Sequence, residues 1–449
     1  MPDNREIVLE ALLLHDKGEY ADKIIKSILD KYSYLERFER GFINRVFTGT
    51  IERRLSLDFI INHYSTVKVN KQKPVIRVIL RMSVYQLLFM DSVPDSAVIN
   101  EAVKLAKKKK FHGLSGFVNG VLRNVSREKD DINIILPCEN KFPFPNKEKE
   151  PIKYLSVIYS CPEWLCEHFV KECGFDDAER ILNCALIEKP ITARVNISRV
   201  STEDLLQKLK SNGIDAVACQ TKNAFELRHV DGLTSINSFN EGLFCAQDTS
   251  SQKIFDSENV HNIIKSAKLI VDVCAAPGGK TCHVADLAEY YGNNECRIIS
   301  RDISDSKVDK IEDNLDRCEF DRVITEVHDA LDLDENLIEK ADLVIADLPC
   351  SGLGVIGRKV DIKYRVMPED LVNLANLQKD ILRVVSRYVK PGGMMIFSTC
   401  TVDRLENADN AEWIKDNLPF EAECEPVQIL NNTPMHDGFF ISRWIRKDN

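Results

Sequence analysis

One stretch of the chain decides its fold, Leu269-Ile270-Val271-Asp272-Val273-Cys274-Ala275-Ala276-Pro277-Gly278-Gly279-Lys280-Thr281. It opens as a short apolar run of the length typical of a buried strand, and it continues into a turn that contains two glycines. Similar apolar runs follow at residues 296–300, 341–346 and 393–398, and helical patterns lie between them. Strands that alternate with helices in this way predict a parallel sheet covered on both faces, so residues 241–449 are predicted to form a doubly wound α/β domain.

The glycine turn is placed to hold a ligand, because Pro277-Gly278-Gly279 lies directly between a predicted strand and a predicted helix. Glycines allow backbone N–H groups to approach a ligand closely near a helix N-terminus. The glycine spacings of dinucleotide-binding turns and of phosphate-binding P-loops are both absent from the sequence. Asp302 ends the next strand, where a carboxylate can accept hydrogen bonds from ribose hydroxyls, and Asp329, after the third strand, could reach an adenine edge. Each aspartate alone would be a cap or turn residue, but the three features together predict a nucleoside cofactor.

Two cysteines follow later strands of the same domain. Cys350 lies in Asp347-Leu348-Pro349-Cys350-Ser351-Gly352 and Cys400 lies in Ser398-Thr399-Cys400-Thr401, just past the carboxyl ends of two predicted strands. A cysteine in a strand is usually a small buried apolar residue, but doubly wound sheets place their sites at these strand ends. A thiolate that adds to carbon 6 of cytosine makes carbon 5 nucleophilic toward a methyl donor. A cofactor turn followed by two thiols therefore predicts methylation of a pyrimidine carbon. The target base must be unstacked, because the thiol and the methyl donor have to reach its ring.

Residues 1–128 are predicted to form an all-helical bundle, because apolar residues recur at helical spacing and strand-like alternation is absent. The net charge of the whole chain, -10, argues against a polyanionic partner. However, residues 1–130 carry 23 Lys and Arg against 16 Asp and Glu, a net charge of +7, whereas the rest carries 37 against 54, a net charge of -17. This charge asymmetry has two explanations. The first domain could recruit a polyanion, or the surface composition could differ by chance, and charge alone favours neither. The run Lys107–Lys110 is likewise either a solvated helix face or an RNA contact.

The sequence between these parts predicts a linker over residues 129–152, marked by four prolines from Pro137 to Pro151, and a small α+β module over residues 153–240. The 14 cysteines are scattered, without C-x-x-C pairs or Cys/His clusters, so no metal site is predicted. Free thiols in this number indicate the reducing cytoplasm. No apolar run is long enough to span a bilayer, so no membrane partner is expected, and we expect a monomer.

The N-terminal part resembles the NusB-type RNA-binding domain. The strings that carry the resemblance are Arg5–Leu9, Phe42–Thr50, Arg77–Leu88, Val93–Pro94 with Val98–Ala106, and Gly116–Asn124. Their apolar members are core positions of the predicted bundle, so the resemblance implies RNA binding through exposed basic side chains.

The C-terminal part resembles the RNA 5-methylcytosine methyltransferases of the NOL/NOP/Sun family. The matching strings are Cys274–Thr281, Asp347–Gly352, Ser398–Thr401, Gln247–Gln252, Asp361–Arg365 and His436–Phe440. The resemblance implies a Rossmann-like fold and S-adenosyl-L-methionine as the methyl donor. Two departures, Leu348 where the family more often has Ala and Val360 where it has Pro, replace no reactive group.

The resemblance also implies roles for individual residues. The methionine end of the cofactor would be held by the loop Cys274, Ala275, Ala276, Pro277, Gly278, Gly279 and Lys280. Asp302 would bind the ribose, Asp329 the adenine, and Asp347 would lie beside the sulfonium and the target base. Cys400 would be the nucleophile and Cys350 would assist release of the adduct. Lys280 could stabilise a nearby thiolate or contact the base or a phosphate.

Basic residues after the first cysteine motif are candidate phosphate contacts, and these are Arg358, Lys359, Lys363 and Arg365. Together the two resemblances imply a cytoplasmic enzyme that forms 5-methylcytosine in small-subunit (16S) ribosomal RNA. Two alternatives stay open. One is the same chemistry on transfer RNA, since the motif residues contact cofactor and base. The other is a non-catalytic RNA-binding factor, against which Cys350 and Cys400 argue, because such a protein needs neither thiol.

Overall fold

A computed structural model of the 449-residue protein describes residues 3–132, 141–230 and 232–448. The chain forms two compact units. The first unit holds residues 1–186 and 358–365, and the second unit holds residues 187–357 and 366–449. Within the described ranges, no helix combines the length and the hydropathy that are needed to cross a membrane.

The first unit is built from helices, as the sequence predicted for its N-terminal part. Its main helices are α1 (Asn4–His15), α2 (Ala21–Lys31), α3 (Arg37–Glu52), α4 (Arg54–Tyr64), α5 (Pro74–Phe89), α6 (Asp95–Lys108), α7 (Ser115–Glu128), α8 (Pro151–Tyr159), α9 (Glu163–Cys173) and α10 (Phe175–Cys184). Helix α5 starts with Pro74, whose missing N–H costs nothing in a first turn, and it is largely buried from Ile76 to Leu87. Helices α1, α3, α4, α6 and α7 pack around it. This central position explains why the sequence of α5 is apolar on nearly every side.

The first unit continues beyond the predicted bundle of residues 1–128. Helices α8, α9 and α10 belong to the first unit, although the sequence assigned residues 153–184 to the small module. The described part of the predicted linker is also packed. The ring centroid of Phe142 lies 6.3 Å from that of Phe59 and 4.8 Å from that of His63, and Phe144 stacks on Phe59 at 6.0 Å. These aromatic anchors lack helical spacing, which is why the segment resembled a linker; Pro137 lies outside the described residues.

The second unit begins with a small antiparallel sheet. Its elements are β1 (Ile191–Val195), α11 (Thr202–Ser211), β2 (Asp215–Ala218), β3 (Ala224–Arg228), α12 (Asn237–Asn240) and β4 (Phe244–Ala246), with strand order β2-β3-β1-β4. Val195, Phe225 and Phe244 of this sheet pack with Leu205 and Leu209 of α11 in one apolar core. This is the predicted α+β module, but it extends past the predicted boundary at residue 240, because β4 pairs with β1.

The rest of the second unit is the predicted doubly wound domain. Its strands are β5 (Leu269–Asp272), β6 (Arg297–Asp302), β7 (Val323–Val327), β8 (Ala341–Asp347), β9 (Val389–Thr399), β10 (Phe420–Ala422), β11 (Val427–Ile429) and β12 (Phe439–Arg446). The helices are α13 (Thr249–Gln252), α14 (Glu258–Ser266), α15 (Gly279–Tyr290), α16 (Asp305–Cys318), α17 (Ile362–Arg365, part of the first unit), α18 (Pro368–Val385) and α19 (Ala408–Asn417). The strand order is β10-β12-β9-β8-β5-β6-β7, with β11 also paired to β12.

Strands β5 to β9 are parallel to their neighbours, whereas β12 runs antiparallel to β9, so the sheet is mixed at one edge. Alternate side chains enter two cores, as Ile270 and Val271 of β5 do on opposite faces of the sheet. The carboxyl ends of the five parallel strands meet at one edge, where doubly wound sheets bind their ligands. The loops that follow these strands therefore define the region in which to look for a site.

Candidate active site

The glycine turn leaves β5 and enters α15. Gly278 precedes the helix at φ +98°, a left-handed conformation that favours glycine, and a Cβ there would lie 3.2 Å from the Cα of Ile311. A Cβ on Gly279 would meet no atom within 4 Å, so this position borders open space. Ala275 N donates a hydrogen bond to the carbonyl of Arg301 at 2.9 Å, which ties the turn to β6. The turn is a fixed backbone with room beside it, as a ligand-binding loop requires.

Two buried carboxyl groups, at the ends of β5 and β6, flank this turn. Asp302 accepts hydrogen bonds from Ala276 N at 2.9 Å and from Lys307 Nζ at 2.8 Å. Asp272 Oδ2 accepts one from Thr281 Oγ1 at 2.7 Å, while Oδ1 has no donor among the described residues. Burial raises the pKa of Asp272 to about 7, and the bond from Thr281 opposes this rise. Asp272 was not predicted as a site residue, although it lies at a strand end just as Asp302 does.

These groups fit a nucleoside cofactor that carries hydroxyl and ammonium donors. The unpaired oxygen of Asp272 is a buried acceptor that such a donor would satisfy. Asp329 follows β7, and its Oδ1 accepts a hydrogen bond from Leu331 N at 2.9 Å. The backbone N–H of His328 donates to the carbonyl of Asp302 at 2.9 Å, so the loops that carry the two predicted cofactor ligands adjoin.

Cys350 and Cys400 lie side by side, with 3.2 Å between their Sγ atoms. Each cysteine follows one of two neighbouring parallel strands, β8 and β9. Two causes raise the pKa of the Cys350 thiol well above its ordinary range. The larger is the hydrogen bond with Cys400, and the second is burial. Cys350 therefore keeps its proton at neutral pH and can be the donor in this pair. The two thiols that the sequence assigned to one site are adjacent in the structure.

Lys280 forms an ion pair with Asp347 at the same edge of the sheet. Lys280 Nζ donates a hydrogen bond to Asp347 Oδ2 at 2.5 Å, and Ser398 Oγ donates one to Asp347 Oδ1 at 2.7 Å. The ammonium also lies 5.3 Å from the ring centroid of Phe439. Burial lowers the pKa of Lys280, but the negative charge of Asp347, with a smaller share from Cys400, raises it overall. Lys280 is therefore a fixed positive charge close to the thiols.

A buried network holds the two cysteine loops together. Glu406 accepts hydrogen bonds from Ser351 N at 2.9 Å, from the Ser351 hydroxyl and from Gln378 Nε2 at 3.1 Å. Ser351 Oγ also lies 2.8 Å from Thr401 Oγ1. Ser351 and Thr401 each directly follow one of the two cysteines, so the network links both loops through one carboxyl group. Burial raises the pKa of Glu406 to about 7, and its bonds with Ser351 oppose this rise. Glu406 was not predicted as a site residue, because its burial depends on the packing of α18 and α19.

The four predicted phosphate contacts separate into two pairs. Lys363 is only 2% exposed, and its Nζ donates hydrogen bonds to two backbone carbonyls of the first unit at 2.9 and 3.4 Å. Burial lowers its pKa to about 8. Arg365 pairs with Asp361 at 2.7 Å. The prediction is wrong for Lys363, because its ammonium is buried and bonded within the protein. Arg365 is half-buried, and its contact with phosphate stays a prediction. Arg358 and Lys359 are exposed, and their contact with phosphate stays a prediction.

Comparison with known proteins gives the family. Residues 263–443 match the model of the 16S rRNA methyltransferase RsmB/F family, residues 2–127 that of the NusB family, and residues 161–230 that of the ferredoxin-like domain of RsmF/B-like methyltransferases. A protein of Bacillus subtilis named probable ribosomal RNA small subunit methyltransferase B is 32% identical over 463 residues, which cover 99% of this chain and 98% of that protein. This chain belongs to the RsmB/F family of 16S rRNA methyltransferases.

Further relatives and structures agree with the family and the fold. The ribosomal RNA small subunit methyltransferase B of Proteus mirabilis is 27% identical, over 93% of this chain and 91% of that protein. The crystal structure of PH0851 shares the fold, with a TM-score of 0.77, 22% identity and 99% coverage of both chains. The predicted NusB-like bundle, α+β module and Rossmann-like domain are thus confirmed as the fold class of this RsmB/F family member.

Proposed function

We propose that the protein transfers a methyl group from S-adenosyl-L-methionine to carbon 5 of cytosine in small-subunit (16S) ribosomal RNA. The observation that carries this proposal is the pair of thiols of Cys350 and Cys400, 3.2 Å apart at the ends of adjacent strands. Family membership and the names of the relatives support ribosomal RNA as the substrate. Residues 1–128 would bind the RNA and residues 241–449 would carry out the methylation. The described cysteines are all free, which supports action in the reducing cytoplasm.

The cofactor would be held by the turn and the strand-end carboxylates. S-adenosyl-L-methionine supplies a methyl group bound to a positively charged sulfur, which an electron-rich carbon can attack. Residues 274–280 would bind its methionine end, and the free oxygen of Asp272 is the acceptor available to its ammonium group. Asp302 and Asp329 would accept hydrogen bonds from the ribose hydroxyls and the adenine. These assignments rest on strand-end position and on charge.

The first chemical step would be addition of the Cys400 thiolate to carbon 6 of an unstacked cytosine. The thiolate form of Cys400 raises the pKa of Lys280, and since this attraction is mutual, the Lys280 ammonium stabilises that thiolate. The Cys350 thiol, whose pKa is raised, would donate a hydrogen bond to the same sulfur, 3.2 Å away. Asp347, held by Lys280 and Ser398, would bind the polar edge of the ring. Carbon 5 then carries the electron density that attacks the methyl group.

The last step would release the methylated base. A water molecule takes the proton from carbon 5, the electrons of the broken C–H bond re-form the double bond between carbons 5 and 6, and the bond from carbon 6 to Cys400 breaks. Negative charge returns to the Cys400 sulfur in this step. The Cys350 thiol, which keeps its proton, is placed to donate a hydrogen bond to the departing sulfur. Cys350 would therefore assist release rather than attack.

Bisulfite sequencing of ribosomal and transfer RNA from a strain that lacks this protein tests the proposal. We expect one protected cytosine of 16S ribosomal RNA to become unprotected, and to be protected again by the wild-type protein but not by Cys400→Ala. A change confined to transfer RNA would move the substrate to that class. An unchanged pattern in both RNA classes would contradict the methyltransferase activity.

A further inference from the structure

Three cysteines meet in the second unit, outside the site described above. Cys245 lies on β4, Cys282 in the first turns of α15 and Cys318 at the end of α16. Their Sγ atoms all lie within 4.8 Å of one another, and those of Cys245 and Cys318 are 3.4 Å apart. All three side chains are buried. This cluster was not predicted, because the three residues are far apart in the chain and form no ligand motif.

Polar donors point at two of the three sulfur atoms, those of Cys245 and Cys318. Asn196 Nδ2 lies 3.5 Å from Cys318 Sγ and 3.8 Å from Cys245 Sγ. Arg317 Nη2 lies 3.6 Å from Cys245 Sγ. The guanidinium of Arg317 is fixed by the ring of Phe239, 3.8 Å from its centroid, and by two backbone carbonyls at 2.9 and 3.1 Å. A neutral thiol is a weak acceptor, so a half-buried guanidinium and a buried amide aimed at Cys245 Sγ favour a thiolate at Cys245.

The backbone is shaped to bring these residues together. Gly242, just before β4, has φ +69°, and a Cβ there would lie 2.2 Å from the carbonyl oxygen of Arg317 and 2.7 Å from the Cα of Cys318. Only glycine allows β4 to approach the end of α16 this closely. Small buried cysteines that merely fill a core need neither this approach nor a guanidinium directed at sulfur.

We propose that Cys245, Cys282 and Cys318 bind one thiophilic d¹⁰ cation, Zn²⁺ or Cu⁺, as three thiolates. A cation about 2.3 Å from each sulfur holds the sulfurs roughly 4 Å apart. The 3.4 Å between Cys245 and Cys318 is shorter than this, and all three separations lie within 4.8 Å, so a small outward movement of the thiols would admit the cation. Three thiolates and Zn²⁺ leave one negative charge, which Arg317 offsets, whereas three-sulfur coordination without a fourth protein ligand suits Cu⁺. The cation would join β4, α15 and α16, and the proposal does not depend on the methyltransferase activity.

The test uses the full-length protein, produced once with added zinc and once with added copper under reducing conditions, then dialysed against metal-free buffer. Metal content is measured per chain, and X-ray absorption at the metal edge counts the sulfur neighbours. We expect about one cation per chain in one of the two preparations, with three sulfur neighbours at about 2.3 Å. Which preparation retains its metal distinguishes Zn²⁺ from Cu⁺.

Substitutions then locate the site. Cys318→Ala should reduce the metal content roughly tenfold or more, whereas Cys296→Ala, a buried cysteine of the same domain outside the cluster, should leave it unchanged. If Cys318→Ala does not fold, the number of sulfur neighbours around the metal in the wild-type protein still tests the proposal. Metal below one tenth of a cation per chain in both preparations, a cation with fewer than three sulfur neighbours, or equal loss in both variants would overturn the proposal.

Discussion

Asp347 and Ser398 are partners in register at the ends of β8 and β9, and Ser398 Oγ donates a hydrogen bond to Asp347 Oδ1 at 2.7 Å. Cys350 follows Asp347 by three residues and Cys400 follows Ser398 by two. The register of two parallel strands therefore sets the separation of the two thiols. A shift of one residue would turn Ser398 to the other face of the sheet and would separate the groups that the reaction needs.

Ser398→Ala tests this relationship. The variant removes one hydrogen bond to the Asp347 carboxylate, a loss of about 1.5–3 kcal/mol, so the methylation rate should fall roughly tenfold to hundredfold. Cofactor affinity should stay within about twofold, because Lys280 still holds Asp347. Single-turnover methylation and calorimetry measure the two quantities. Ser386→Ala, a buried serine bonded to the carbonyl of Arg383, is the matched control, and an equal rate loss there would contradict the argument.

Asp302→Ala tests the cofactor site. Removal of a charge-assisted acceptor should weaken S-adenosyl-L-methionine binding by about 1.5–3 kcal/mol, and it also frees Ala276 N in the turn. Calorimetry on the folded variant measures the affinity. Asp309→Ala, an exposed aspartate of α16, should bind as the wild type does. An unchanged affinity in Asp302→Ala would remove this residue from the site.

The strand-end residues of the site were predictable, because short apolar runs fix where each strand ends. Asp302, Asp347, Cys350 and Cys400 each follow such a run within a few residues, and parallel strands bring their ends to one edge. Asp272 was predictable in the same way, because it ends β5 directly before the glycine turn. This part of the prediction needed only local patterns and one rule of topology.

Other features depend on tertiary packing that no local pattern encodes. Glu406 and Lys363 each have charged neighbours in the sequence, as exposed residues commonly do, yet both are buried. Glu406 is buried beside the cysteine loops, and Lys363 is buried inside the first unit. Strand β12 forms the antiparallel edge of the sheet only because it pairs with β9. Prediction of a phosphate contact at Lys363 failed for this reason, since a lysine near a catalytic motif is not necessarily exposed.

Glu406 should make the stability of the protein depend on pH. Its pKa is raised by burial from the ordinary 4.5 to about 7 in the folded protein, so the folded state binds more protons between these values. The free energy of unfolding should therefore fall as pH rises from about 4.5 to about 7, by on the order of 1–3 kcal/mol relative to Glu406→Gln. Urea unfolding at several pH values measures the difference. The exposed Glu412→Gln should follow the wild-type curve, and a wild-type curve parallel to that of Glu406→Gln would contradict the assignment.

The lysine run of the first unit offers a test of RNA binding. Lys108 Nζ lies 2.7 Å from Glu6 and Lys109 Nζ lies 3.0 Å from Glu10, whereas the side chains of Lys107 and Lys110 are exposed. If Lys107 and Lys110 contact phosphates, their double alanine variant should lower the slope of log affinity against log salt by about one and a half to two units. Filter binding over a range of salt concentrations measures the slope. The double alanine variant of the exposed Lys71 and Lys73 is the control. An equal change of slope there would contradict a specific RNA contact of Lys107 and Lys110.

The two thiols should differ in what their loss does to the reaction. Cys400→Ala lacks the sulfur that adds to carbon 6, so it should bind cofactor but neither methylate RNA nor form a covalent complex. Cys350→Ala should still attack and transfer the methyl group, but it lacks the donor 3.2 Å from the departing sulfur and should release the base slowly. A protein–RNA adduct linked through Cys400 should then accumulate. Gel electrophoresis under denaturing conditions, with labelled RNA and S-adenosyl-L-methionine, detects it.

Matched controls make this last comparison decisive. Cys296→Ala removes a buried thiol of the same domain away from the pair, so it should turn over normally and leave no adduct. The double variant Cys350→Ala/Cys400→Ala should also leave none, because the accumulated adduct depends on the Cys400 sulfur. An adduct from Cys400→Ala with none from Cys350→Ala would exchange the two roles. Full turnover by Cys400→Ala would exclude Cys400 as the nucleophile, since a single remaining thiol would then serve both addition and release.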